Sequence, residues 1–208
     1  ASAAISATRA IRSVDPQAQF ICAEPLIFVA QKGRSRAERY HLSQFEALDM
    51  LLGRRDPELG GGEDLVDLIG LNFYCDNEWF HRGSTIPMGH HAYRPLGDLL
   101  AEVHRRYDKP MFLAETGAEG RARAYWLHYI VEEVCHALRQ GLPVRGLCLY
   151  PILDYPGWVN ERICEVGLFS APDKSGRRSV YEPLLNEVRR AQASLAAAWN
   201  LAMQSPGE

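Results

Sequence analysis

Glu115 closes a short apolar run, Lys109-Pro110-Met111-Phe112-Leu113-Ala114-Glu115-Thr116-Gly117. Such a run reads as a buried strand, and a carboxylate on its last residue lands at the rim of the sheet, where parallel α/β folds keep their reactive groups. There it is a candidate catalyst, able to act as nucleophile or proton carrier. Other chemistry-bearing residues share this placement. Glu24 follows the strand-like Gln19 to Ala23 and precedes Pro25, while Asn72 and Tyr74 close the run Leu65 to Tyr74. Trp79 stands in the loop Asp76-Asn77-Glu78-Trp79-Phe80-His81, and Tyr150, Asp154 and Trp158 end or follow the run Val144 to Leu153. Tyr150 and Trp158 offer flat apolar faces of the kind small-ligand sites use.

Each residue has a competing structural role. A Glu before Thr-Gly can cap the next helix, Trp158 can pack in its loop, and Glu24 can be a peripheral rim group. Three further features carry less. Adjacent side chains diverge, so His90-His91, with no third ligand nearby, reads as a solvated loop. Gly60-Gly61-Gly62 lacks the Lys-Ser/Thr and preceding strand of a phosphate loop and reads as a turn. Trp126 and Trp199 fall in helical patterns and are expected to be buried.

The elements that position these residues alternate between two periods. Ala3 to Val14, Phe45 to Leu52, Tyr93 to Tyr107, Ala124 to Leu138 and Tyr181 to Leu201 carry helical spacing. The first ends at Asp15-Pro16, since proline biases the preceding residue away from the α region. Between them lie the four strand-like runs that end near Glu24, Tyr74, Glu115 and Leu153. Near-continuous apolar strands alternating with helices predict a parallel sheet covered by helices rather than an antiparallel sandwich. Loops with unusual side chains follow the strands, the arrangement of a barrel's catalytic end. Closing a barrel of this type takes eight strands, so the expected fold class is α/β, of TIM (β/α)8-barrel type, with this chain supplying about four βα units. A bare half exposes two strand edges and an apolar inner face, so a partner is expected to cover them.

The 208 residues, 47% of them hydrophobic, suffice for one core, and residues 1–208 are expected to form a single domain. A net charge of −3 and a pI near 6.2 give no footprint for nucleic acid or an anionic membrane, and the arginine-rich stretch from Arg34 to Arg39 is too short to change that. Five widely spaced cysteines without a CxxC pair read as reduced thiols of a cytoplasmic protein. No apolar run approaches the roughly 18 to 20 residues that span a bilayer. The chain opens on Ala1 rather than Met, which leaves upstream processing or truncation open.

The ordered set Glu24-Pro25, Gly70-Leu71-Asn72-Phe73-Tyr74, Ala114-Glu115-Thr116-Gly117 and Tyr150-Pro151-Ile152-Leu153-Asp154-Tyr155-Pro156-Gly157-Trp158 resembles strands five to eight of family 1 glycoside hydrolases, the β-glucosidase-like enzymes. The match runs in order along nearly the whole chain and implies the C-terminal half of a barrel. It implies that Glu115 is the nucleophile, that Tyr74 contacts it, and that Tyr150, Asp154 and Trp158 lie where sugar contacts are made; by their placement Asn72, Trp79 and Glu24 join them as candidate contacts to a carbohydrate. It implies no cofactor and no metal. Two departures stand out. Gly157 replaces a Glu that grips outer sugar hydroxyls, and the acid/base Glu, which follows an Asn on strand four of such enzymes, has no counterpart after Ala1.

Retaining hydrolysis needs a nucleophile and a separate acid/base, about 5 to 5.5 Å apart, with their pKa values pushed apart by their surroundings. The chain therefore needs an N-terminal half-barrel, or a second copy, to close the fold and complete the site. The alternative is a non-catalytic barrel fragment that binds carbohydrate or assembles with a partner. An aldolase or lyase is disfavoured by the lack of a lysine at any strand end.

Overall fold

The apolar runs become strands and the 3.6-period runs become helices, in the predicted alternation. The computed structural model describes residues 1–30 and 34–204, which fall into two compact units, one of Ala1–Arg94 with Tyr107–Ala114, the other of Pro95–Arg106 with the chain from Glu115 onward.

The first unit opens with α1 (Ser2–Val14), which turns Ile5 and Thr8 inward and stops at the extended residue Asp15 before Pro16. The Arg12 guanidinium lies 2.8 Å from the Asp67 carboxylate, which also accepts the Phe20 N–H at 2.7 Å. This clamp brings together the starts of two strands, β1 (Ile21–Pro25) and the one that follows Asp67. Next come β2 (Phe28–Ala30), α2 (Arg34–Ser43), α3 (Glu46–Leu51), β3 (Leu68–Asn72) and β4 (Glu78–Phe80). β1 and β3 pair in parallel, with Ile21 opposite Leu68 and Pro25 opposite Asn72. A small second sheet pairs β2 with β4, also in parallel, with Phe28 opposite Glu78. On the other side of β3 lies β5 (Met111–Thr116), and the Ile69 N–H donates to the Pro110 carbonyl at 3.0 Å. Three small residues meet across these strands: a Cβ built on Gly70 would stand 2.9 Å from the Ala23 Cβ and 3.1 Å from that of Ala114. Ile69, Leu71 and Phe73, together with Met111 and Leu113, are almost wholly buried, which accounts for their near-continuous apolar character. β1 lies at the end of the strand order, and its Ile21 is 55% exposed.

In the second unit α4 (Leu96–Tyr107) buries Leu96, Leu99, Leu100 and Val103, the helical stripe expected from the sequence. It is anchored at its start by the Tyr129 hydroxyl, which accepts the Leu96 N–H at 3.1 Å, and by Glu133, which accepts that of Gly97 at 2.8 Å. α5 (Ala122–Arg139) packs on α6 (Glu182–Gln204), with Arg190 reaching Glu132 at 3.0 Å. β6 (Val144–Leu149) neighbours β5, and the Trp199 indole N–H donates to the Val144 carbonyl at 2.8 Å. Beyond β6, two short strands, β7 (Tyr155–Pro156) and β8 (Ile163–Cys164), form an antiparallel pair. No barrel closes among the described residues; the sheet order is β1-β3-β5-β6.

Candidate functional site

Glu115 is the half-buried penultimate residue of β5, and the two residues after it explain how it is held. Thr116 is 0% exposed: its hydroxyl accepts the Trp126 indole N–H at 2.8 Å, and its carbonyl accepts the Tyr150 N–H at 2.9 Å. At Gly117 a Cβ would overlap the Tyr150 carbonyl oxygen, so the position needs a residue without a side chain. Thr-Gly thus docks the end of β5 onto the end of β6. Helix capping is not the role of Glu115, because α5 begins at Ala122 with Arg121 at its cap.

The segment after β6 carries three of the predicted site residues in two environments. Tyr150 and Trp158 line one open groove of about 500 Å³, together with Leu149, Ile152, Leu153 and Tyr155. Trp158 is 89% exposed, so its indole face is available rather than packed. Asp154 is buried, with Oδ1 accepting the Gly167 N–H at 2.7 Å and lying 3.7 Å from the Arg123 guanidinium. Arg123 also donates to the Gly167 carbonyl at 2.7 Å and lies over the Tyr181 ring, 3.8 Å from its centroid. Asp154 therefore holds the base of the segment. Arg162 pairs with Glu119 at its exposed end, and that hydrogen bond holds the Glu119 carboxyl below the usual range.

The other predicted residues lie in the first unit. Asn77, three residues beyond Tyr74, ties the strand ends together. Its Oδ1 accepts the Tyr74 N–H at 3.2 Å, and its Nδ2 donates to the carbonyls of Leu26 at 2.8 Å and Asn72 at 3.1 Å. The Asn72 carbonyl also accepts the Leu26 N–H at 2.9 Å. The Asn72 side-chain oxygen, by contrast, is buried and accepts no hydrogen bond among the described residues. A buried acceptor without a donor is costly, and a ligand hydroxyl would relieve that cost. Glu24 sits opposite Leu71, half-buried on the face that carries Cys22, whose Sγ lies 3.9 Å from Oε1. Burial, reinforced by the Glu24 charge, pushes the Cys22 thiol up to about 11, so it stays protonated at neutral pH. Trp79, on β4, meets the Tyr40 ring edge-on at 6.1 Å between centroids. Its neighbour Glu78 is 1% exposed, and burial pushes its carboxyl up to about 7, although Oε2 accepts the Arg94 N–H at 2.9 Å.

Sequence reasoning did not single out the supporting residues Asn77, Thr116 and Arg123. For Asn77 a signal existed, an amide just after a strand end; for Arg123 there was none, since its partners come from a distant loop. Among the described residues no group of three His, Cys, Asp or Glu side chains is placed to hold a metal ion, and no helix is long and apolar enough to cross a membrane.

No protein-family model and no curated protein matches this chain. Solved structures do. It is similar to the β-glycosidase of Thermosphaera aggregans, with a TM-score of 0.72 at 17% identity over 92% of this chain and 47% of that one. The β-glucosidase of Pyrococcus furiosus gives 0.66 at 20% identity, covering 92% and 45%. The family 1 β-glucosidase of Thermotoga maritima gives 0.66 at 13% identity, covering 92% and 55%. The chain spans about half the length of each of these structures, and at such identities the likeness is one of fold. The chain has the α/β fold of about half of a TIM-type (β/α)8 barrel, in the form seen in family 1 β-glucosidases.

Proposed function

We propose that this chain is the C-terminal half of a retaining glycoside hydrolase barrel with Glu115 as its nucleophile. The observation that carries the reading is the position of Glu115 at the end of β5, fixed by the Thr116 and Gly117 contacts to Tyr150. In this reading the Glu115 carboxylate attacks the anomeric carbon while an acid on the other half-barrel protonates the departing oxygen, and water then cleaves the glycosyl ester. The family resemblance gives Tyr74 the role of donating its hydroxyl to the nucleophile, which would favour the ionised form. The unfilled acceptor of Asn72 takes a sugar hydroxyl, and Tyr150 and Trp158 present apolar faces to the ring. Trp79 and Glu24 stand as outer contacts, and Asp154 serves by holding its segment in place.

The test is to treat the complete polypeptide with an activated 2-deoxy-2-fluoro glycoside, which traps the covalent intermediate, and to map the adduct by mass spectrometry. An adduct on the Glu115 peptide, absent in Glu115→Gln and formed roughly 10- to 100-fold more slowly in Tyr74→Phe, is expected from the loss of a hydrogen bond to a charged group. An adduct on another carboxylate overturns the assignment. Sugar binding without any adduct would replace it with the non-catalytic alternative.

A further inference from the structure

We propose that a second site, an open groove of about 400 Å³ in the first unit, binds the phosphate or sulfate group of a small ester. The helix α2 supplies Arg36, Arg39, Tyr40 and Ser43, which share one face by their spacing of three, four and seven residues. His81 and Arg82 reach the same groove from the turn after β4. That turn is held in place. The His81 N–H donates to the Ala30 carbonyl at 2.7 Å, the Gly83 N–H donates to that of Phe80 at 2.7 Å, and Arg82 adopts a left-handed φ of 58°. Tyr40 is fixed between Trp79 and His81, edge-on to both at 6.1 and 6.0 Å.

The gathering of three guanidiniums on one concave surface marks this groove. Other arginines are committed to acids, Arg12 to Asp67, Arg54 to Glu63, Arg55 to Glu46 and Arg190 to Glu187. Among the described residues no carboxylate pairs with Arg36, Arg39 or Arg82. Among the described residues the one carboxylate lining the groove, Glu46, is held by Arg55 at 2.7 Å. Three guanidiniums thus face one open space in a chain whose net charge is −3, so the concentration is local rather than compositional. Guanidinium forks match tetrahedral oxyanions in two-point contacts, and the hydroxyls of Tyr40 and Ser43 with the His81 ring add donors around them. The volume suits a small organic ester and lies at the lower end of ligand-pocket sizes, about 300 to 1,000 Å³. The inference is independent of the hydrolase reading, since none of its residues takes part in that site.

Calorimetric titration of the full chain with phenyl phosphate and with phenyl sulfate, at constant ionic strength against a sodium chloride control, tests it. Saturable one-to-one binding is expected, weakened about tenfold by Arg39→Gln and by Arg82→Gly, as loss of a charge-assisted contact requires. Arg82→Gly removes the guanidinium while suiting the left-handed backbone, so it is not confounded by strain. Arg177→Gln, remote in sequence and unit, should bind as the parent does, and so should Glu115→Gln. Equal affinity for the two esters assigns a general oxyanion site; preference for one assigns that ester. Heats no different from chloride, or binding unchanged in both groove variants, overturn the proposal.

Discussion

Asp154 and Trp158 stand four residues apart and do opposite work. The Asp154 carboxylate is buried against Gly167 and Arg123, and Arg123 in turn lies on Tyr181, so removing the acid leaves a guanidinium buried without its counter-charge. Breaking a buried pair from one side costs about 3 to 5 kcal/mol, and Asp154→Ala is expected to lower the urea midpoint accordingly. Trp158 is 89% exposed, so Trp158→Ala should leave the midpoint within about 0.5 kcal/mol of the parent while weakening carbohydrate binding. A Trp158→Ala midpoint as low as that of Asp154→Ala would show that the indole packs rather than binds. The sequence presented both residues as candidate contacts because type and position were all it offered. What divides them is a partner that the chain brings from Arg123 and Gly167.

Among the elements, the junction of β5 and β6 is the most constrained. Because the Tyr150 carbonyl occupies the space a Cβ would take at Gly117, and backbone yields less readily than a side-chain tip, Gly117→Ala must displace one strand end. A loss of about 1 to 3 kcal/mol, of the size overpacking brings, is expected in thermal melts, with slower labelling of Glu115 beside it. Unchanged melting and labelling would mean that the junction is loose. The strands and helices built on long apolar patterns were legible: β1, β3, β5, and α1, α4, α5 and α6 lie where their periodicity placed them. The last strand is shorter than its apolar run, since Tyr150 turns its N–H to Thr116 and β6 ends at Leu149. α2 was not legible because its sequence, RSRAERYHLS, has almost no apolar stripe, and β2 and β4 are three residues each, too short to show a period. Of these elements α2 lines the basic groove directly, together with the turn that follows β4.

For the whole molecule, the carboxylates pull stability in two directions with pH. Hydrogen bonds from Arg54 to Glu63, from Arg162 to Glu119 and from Ser175 to Asp173 hold those groups below the usual range. Their contribution is present above the ordinary carboxylate pKa and is lost as the solution becomes acidic. Glu78 acts in reverse. With its pKa raised from 4.5 to about 7, the folded chain holds a proton there that the unfolded chain releases. That contribution is present below 4.5 and is lost as pH rises through 7, by at most about 3 kcal/mol. Stability should therefore peak near about pH 5 and fall toward pH 8, and Glu78→Gln should flatten the alkaline side. Melting curves from pH 4 to 8 check this, and a Glu78→Gln curve parallel to the parent's would rule it out.

The row of Ala23, Gly70 and Ala114 bears on how this rim can be redesigned. Nothing larger than hydrogen fits at its centre without moving a neighbouring strand, so the row fixes the spacing of the strands at Ala23, Gly70 and Ala114, and Glu24 is the next residue along β1. Under the carbohydrate reading, altered specificity has to be sought in the loop after β6, where the exposed Trp158 can be exchanged at little structural cost. A library that randomises position 70 would yield chains that misalign at these strands.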